Sequence, residues 1–255
     1  SGGTDAHHDF YDMIFAKTSL ATTTLASYAV KVLNSLNIGA NSVLDVSTSN
    51  YQFNVGGNWV NTGKFEARSA TTTFDSAVPF KTITPGNWPF YNLEFNNAAG
   101  GWTFNASATT TNNFTITNGV ATSTTSVLAI GGDFKNYGRF ARNNGTVKLN
   151  AATAGKTIKT NNDWFYNLVF DGAGSWSFNE TMATATYDFT ILNGTVNLPS
   201  AMLTVGNNFS NSGTINHNNG TVKMTTSFLN RVVKANNSDF YNLLFSGPGG
   251  WSFSE

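Results

Sequence analysis

Along most of the chain apolar and polar residues alternate one by one, as in Phe114-Thr115-Ile116, Val147-Lys148-Leu149, Thr157-Ile158-Lys159 and Phe189-Thr190-Ile191. A period of two carried by β-branched and aromatic residues, and punctuated by Asn, Asp and Gly, predicts short strands with one buried face joined by tight turns. No apolar run approaches the roughly 18 residues that a membrane-spanning helix needs. Only the stretch from Ala16 to Asn50 departs from the pattern. There Leu20, Leu25, Tyr28, Val32, Leu33 and Leu36 would line one face of a helix. Ala21-Thr22-Thr23-Thr24 and Val43-Leu44-Asp45-Val46 favour irregular strands with a bulging loop instead.

Three groups of residues recur in one phase. Phe90-Tyr91-Asn92-Leu93 returns as Phe165-Tyr166-Asn167-Leu168 and Phe240-Tyr241-Asn242-Leu243, with a weaker copy from Phe10, at intervals of 80, 75 and 75. FNVGGNWVNTGKF from Phe53, LAIGGDFKNYGRF from Leu128 and LTVGNNFSNSGTI from Leu203 keep the step of 75, and Trp102, Trp176 and Trp251 follow at 74 and 75. Within a repeat the turn pairs Asn118-Gly119, Asn144-Gly145, Asp171-Gly172, Asn193-Gly194, Asn219-Gly220 and Ser246-Gly247 fall 22 to 27 apart. The expectation is an all-β parallel β-helix (β-solenoid) of about ten coils of ~25 residues, three coils per repeat, each strand pairing with the coils above and below at about 4.8 Å. On that register the three Trp residues share one side and Asn92, Asn167 and Asn242 stack at one corner. One continuous solenoid divides into residues 1–9 (the tail of a preceding repeat), 10–89 with an insertion around 16–50, 90–164, 165–239, and 240–255, the start of a further repeat.

Composition narrows the function classes. The 255 residues include 35 Asn, 35 Thr, 22 Ser and 24 Gly, whereas charged residues make up only 11%, less than half the share in an ordinary soluble domain. With 14 basic and 14 acidic residues the field that draws a protein to nucleic acid is missing. Forty per cent hydrophobic residues, 21 of them Phe, are enough to bury a core, which disfavours disorder. Zero cysteines remove disulfides, Cys-ligated zinc and thiol catalysis. Eight Asn-x-Ser/Thr sequons are what this Asn, Ser and Thr content gives by chance.

The acids are spread thinly, and several stand where another repeat carries a neutral residue: Asp133 against Asn58 and Asn208, Asp188 against Asn113, Asp171 against Ser246. That interchange suits backbone capping in turns rather than a catalytic pair. Asp5, His7, His8, Asp9 and Asp12 form the densest polar group, but Asp9 precedes Phe10 as Asp239 precedes Phe240, so a solvated strand is expected there and no metal site. The GGxGxD calcium array is absent, and no cofactor is expected. Trp102, Trp176 and Trp251 could stack on sugars, yet each opens a W-x-F strand after a Gly-rich turn, which suits packing inside.

The GGW(S/T)F, DFTI.NGTV.L, L.(V/I)G..F.N.G and FYNL.F landmarks resemble the Asn/Thr/Gly-rich repeats of long bacterial cell-surface β-helix proteins, in the company of autotransporter passengers and filamentous-haemagglutinin-like adhesins. The resemblance covers nearly the whole chain in period and style and brings no catalytic motif. It implies an extracellular, elongated, non-enzymatic structural protein of a fibre, sheath or surface layer. The alternatives are an adhesin stalk binding glycan or protein through its flank, and a carbohydrate-processing β-helix enzyme or tailspike-like depolymerase. The start at Ser-Gly-Gly and the absence of polar caps suggest a segment of a longer polypeptide or an end-to-end stacking subunit. Its expected partners are itself, head to tail or laterally, or neighbouring repeats, with a cell-surface glycan as the alternative and no nucleic acid.

Overall fold

The computed structural model describes residues 7–254. Among these residues every regular element is a strand, and every strand pair is parallel. The alternating stretches do form the strands, with burial switching residue by residue, as in Thr146–Leu149 and Thr221–Met224. Three stacks make a three-sided coil. Face 1 begins with His7–Phe10 and continues through Ala29–Val32 and Phe53–Val55 to Thr214–Asn216. Face 2 begins with Met13–Phe15, Leu36–Ile38 and Trp59–Asn61; face 3 begins with Ala21–Thr24, Ser42–Asp45 and Lys64–Glu66. The fold is thus the expected all-β parallel β-solenoid, with about twelve turns rather than ten. The stretch 16–50 belongs to the ladder as strands Ala21–Thr24, Ala29–Val32, Leu36–Ile38 and Ser42–Asp45, and no helix forms there. Its extra length is taken up by coils of 22 and 23 residues, from His7 to Ala29 and from Met13 to Leu36.

Coil length and repeat length do not divide evenly. On face 1 the chain advances 19 residues from Phe53 to Thr72, 21 to Leu93, 21 to Phe114, 20 to Phe134 and 24 to Ile158. Three coils after Phe53 lie at Phe114 and four at Phe134, so the repeat mate of Phe53, Leu128, falls between them. Each repeat supplies eleven rungs: Phe53–Val55, Trp59–Asn61, Lys64–Glu66, Thr71–Phe74, Lys81–Thr84, Phe90, two from Asn92–Phe104, Ala108–Thr110, and two from Phe114–Thr122. Eleven rungs on three faces make three and two-thirds coils, and the pattern moves on by one face per repeat. Phe53 therefore stands on face 1, Leu128 on face 3 in the stack with Ala108, and Leu203 in the Met182–Ala185 stack that continues face 2. The expectation of three whole coils per repeat is corrected by this register.

The core is one column of inward side chains from Val30 to Val233. Phe74, Phe95, Phe114 and Phe134 stack on face 1 with ring centroids 5.5, 5.5 and 5.6 Å apart. The repeat mates of the last three, Phe170, Phe189 and Phe209, stack at 5.5 and 5.4 Å on face 3, where Leu149 stands at the position of Phe74. One aromatic column is thus built twice, a third of a turn apart. Phe165 is 1% exposed and packs against Phe134 and Phe140 at 5.2 and 5.9 Å. Phe165→Asp is expected to destabilise the solenoid by several kcal/mol, because an unpaired charge would enter a shared apolar column; thermal melting should shift down sharply, and an unchanged melting curve would contradict this packing.

Candidate functional site

Once per repeat a rung of the ladder shrinks to a single residue. On face 3 the strand Lys64–Glu66 is followed one coil on by Phe90, joined by a single bridge to Thr110; on face 2 Arg139–Ala141 is followed by Phe165, bridged to Ala185. The core stays closed behind each gap, since Phe65–Phe90 and Phe140–Phe165 both lie at 5.9 Å. The chain instead forms a protruding turn at 85–89, 160–164 and 235–239. A buried asparagine ties each turn down: Asn61, Asn136 and Asn211 donate from Nδ2 to the carbonyls of Pro85 (3.1 Å), Thr160 (2.7 Å) and Ala235 (2.9 Å). Asn136 also donates to Asp163 Oδ2 at 2.8 Å, and Asn211 to Ser238 Oγ at 3.1 Å. The turns bend through left-handed residues, with φ of 69° at Gly86, 55° and 61° at Asn161 and Asn162, and 52° and 56° at Asn236 and Asn237. Asn and Gly tolerate that conformation best, which places part of the Asn surplus.

A second set of polar side chains links successive coils at a corner. Asn92 Oδ1 accepts from the backbone N–H of Asn113 (3.2 Å), Asn113 Oδ1 from Asp133 (2.9 Å), and Asp133 Oδ1 from Thr157 (2.8 Å). The next repeat runs the same staircase from Asn167 to Asp188 (3.2 Å), Asn208 (3.0 Å) and Val232 (2.9 Å). A carboxylate and an amide oxygen do the same work here, which is why Asp and Asn interchange. Asn92 opens a face 1 strand, Asn167 a face 3 strand and Asn242 a strand of the stack continuing face 2. They do not share one corner, because the one-face shift per repeat carries them round the coil.

The other singled-out positions serve the fold. Phe90, Leu93, Phe165 and Leu168 are buried, Phe240 and Leu243 partly so, while Tyr91 and Tyr166 sit half-buried and Tyr241 is exposed. Trp102 and Trp176 are buried against Phe95 and Phe170 at 5.2 and 5.3 Å, and Trp251 packs on Phe245 at 4.9 Å. These three Trp lie on faces 2, 1 and 3 in turn, not along one side. Among the turn pairs, Gly119 and Gly194 are left-handed at φ 82° and 80°, and Asn118 and Asn193 donate to Asn96 and Asp171 on the coil before. Asn144 and Asn219 are left-handed at 54° and 57°. Gly145 and Gly220 follow where a Cβ would stand 2.0 and 2.2 Å from the carbonyl oxygens of Thr124 and Pro199.

Most of the described acids tie neighbouring groups together. The Arg68 guanidinium, hydrogen-bonded to both oxygens of Asp45 at 3.0 and 2.8 Å, holds that carboxyl below the ordinary Asp value of 3.8. Lys148 and then Asn193 do the same for Asp171. Burial pushes Asp133 up, but Lys135 at 2.7 Å and the Thr157 N–H outweigh it, and the net shift is downward. Glu180 accepts from the N–H groups of Thr160 and Asn161. Asp12 accepts from Asn34 and Ser35; Asp5 and the His7 side chain lie outside the described residues, among which no three His, Asp or Glu converge.

The residues that sequence reasoning passed over are Trp88 and Trp164, 39% and 52% exposed on the turns at the first two gaps. Trp164 borders two adjoining grooves. One, of about 420 Å³, is walled by Arg139, Arg142, Asn143 and Asn144; the other, of about 320 Å³, by Met182, Met202 and Thr204. The Arg142 guanidinium lies 5.8 Å from the Trp164 ring centre. The signal for these residues is departure from the repeat: the positions equivalent to Trp164 hold Pro89 and Asp239, and those equivalent to Arg142 hold Ala67 and His217.

Comparison of the chain with protein-family models, curated proteins and solved structures returned no match. The β-solenoid class therefore stands on strand register and burial alone.

Two outcomes test this site's physics. Asn136→Ala removes the amide that joins the Thr160 carbonyl and Asp163 Oδ2 to the coil before, leaving the turn only its own Asp163 N–H to Thr160 bond, and should lower stability by about 1–3 kcal/mol in denaturant titration; a loss near zero would mean that the turn does not need its tether. Asp45, Asp133 and Asp171 all have folded values below their unfolded one, so their contribution is complete above about pH 4 and is lost as pH falls through the depressed values. Melting temperature should hold level from neutrality down to that range and drop below it; a fall beginning near pH 6 would contradict the assignment.

Proposed function

We propose that this chain is a structural repeat segment that extends an extracellular fibre, sheath or surface layer. The observation that carries the reading is the eleven-rung repeat, which lengthens the ladder without altering its cross-section. Each added repeat brings its own turn tether, its own corner staircase and its own share of the aromatic column. Twelve coils at the interstrand spacing of about 4.8 Å make a rod of roughly 55 Å, and each repeat adds about 18 Å. Neutral hydroxyl and amide side chains dominate the polar residues, which suits a material exposed to changing salt and pH. Most acids among the described residues are engaged in backbone capping, side-chain hydrogen bonds or ion pairs, which favours a mechanical role over a catalytic one. Likeness in period and style to autotransporter passengers and filamentous-haemagglutinin-like adhesins supports a cell-surface location, with neighbouring repeats or further copies of the chain as partners.

The test is a chain lengthened by a second copy of residues 128–202, together with antibody labelling of intact source cells. Small-angle scattering should show a rod longer by about 18 Å, and electron microscopy should show surface-labelled fibres or sheets. A chain that grows in girth rather than length, or labelling that needs permeabilised cells, would overturn the reading.

A further inference from the structure

Trp164 and its flanking grooves form a surface feature that the repeat does not require. Equivalent positions hold unlike residues: Lys64 and Thr214 at Arg139, Ala67 and His217 at Arg142, Pro89 and Asp239 at Trp164. The solenoid folds through each of these variants, so packing alone does not account for the set on face 2. Successive coils of face 2 pass beneath it, at Arg139–Ala141, Phe165, Met182–Ala185 and Met202–Val205. The two grooves share Asn162, Asp163 and Trp164 and so run on into each other along the axis. Four coils at about 4.8 Å give a trough of roughly 14 Å, long enough for an oligomeric ligand rather than a single small ring.

The lining fixes the ligand chemistry. Arg139 and Arg142 have no carboxylate within ion-pair distance among the described residues, although Arg68, Lys135, Lys148 and Lys159 each have one. Arg142 Nε is covered by the protein and has no hydrogen-bond acceptor, so a ligand in the groove would meet the terminal N–H groups of this guanidinium. Two guanidiniums three residues apart match carboxylate geometry through paired N–H donors. The one acid at the trough, Asp163, turns Oδ2 inward to the Asn136 amide (2.8 Å) and the Phe140 N–H (2.6 Å), which leaves the trough with a net positive charge. The half-exposed indole offers an electron-rich face for the C–H edges of a pyranose. Asn143, Asn144 and Asn162, held left-handed at φ 44°, 54° and 61°, add amide donors and acceptors for hydroxyls.

We propose that the trough along face 2 at Trp164 binds a carboxylate-bearing oligosaccharide, with the Arg139 and Arg142 guanidiniums on the uronate carboxylates and the sugar ring against Trp164. The site goes beyond the fibre reading and does not depend on it, because one isolated chain carries the whole trough. Its mate in the preceding repeat is the built-in control: Lys64 lies 4.5 Å from the Trp88 ring but is already ion-paired with Glu66, so that turn lacks free cations.

The test is calorimetric titration of the intact chain with an oligogalacturonate and with cellotetraose, a neutral chain of similar size. The uronate should bind, and Trp164→Ala and Arg142→Gln should each weaken it about tenfold or more. Trp88→Ala should leave binding unchanged, and melting temperatures should stay at the parent value, since His217 and Asp239 occupy the equivalent positions in another repeat. No uronate binding, equal affinity for cellotetraose, or binding indifferent to both Trp164→Ala and Arg142→Gln would overturn the proposal.

Discussion

Parallel pairing of each coil with the next is the constraint from which the rest of this structure follows. In a parallel ladder every residue sits directly over a partner one coil away, so side chains stack in files, and the files must be compatible along their whole length. Inward files become Phe on Phe, as in the Phe114–Phe134 stack with nearly coplanar rings. Corner files become amide or carboxylate oxygens on backbone N–H groups, as in the run from Asn92 to Thr157. An acid in such a file does a backbone's work, and that accounts for Asp133 having Asn at both of its repeat mates.

Against this constraint the repeat of eleven rungs is a device for uniformity. A repeat of nine or twelve rungs would keep each kind of strand on one face. Eleven rungs on three faces pass every kind of strand to each face in turn, and after three repeats the pattern returns to its starting face. Phe10 ends a face 1 strand, and by the count of rungs Phe240, which packs against Phe209 at 5.2 Å, returns to the same face. The one-residue rung falls on face 3 at Phe90 and on face 2 at Phe165, and the same count carries it to face 1 at Phe240, so that no side is weakened twice in succession. Each gap is closed from within by aromatic contact and tethered by one buried asparagine, which leaves its outer turn free to vary.

The alternation of residues such as Val147-Lys148-Leu149 was a sufficient guide to parallel strands, and the FYNL and GGW landmarks to the repeat. The coil length was harder to see. Turn pairs 22 to 27 apart mark corners of different kinds: Asn118-Gly119 bends one continuous strand between two faces, whereas Asn144-Gly145 crosses beneath a neighbouring carbonyl. Other corners, such as Thr62-Gly63 between Asn61 and Lys64, turn without an Asn-Gly or Asp-Gly pair and so escape a count of such pairs. Counting dipeptides therefore measured distances between unlike corners and overestimated the coil. Burial of Trp102 and Trp176 was legible from their strand context, but their placement on separate faces depends on a register that no local motif encodes. Trp88 and Trp164 escaped notice because they lie outside the repeating landmarks, where the fold places no demand on residue identity.

The cysteine-free sequence allows the register to be read chemically. Ser177 and Asn197 face outward on adjacent coils, 20 residues apart, with Asn197 Nδ2 donating to Ser177 Oγ at 2.7 Å. A coil near 20 residues, and so a repeat of three and two-thirds coils, requires that the double variant Ser177→Cys/Asn197→Cys form a disulfide under mild oxidation. A 25-residue coil would instead bring Ser177 against Met202. Rapid crosslinking of 177 with 197 and none of 177 with 202 is the predicted result; crosslinking of 177 with 202 in place of 197 would contradict the account at its root.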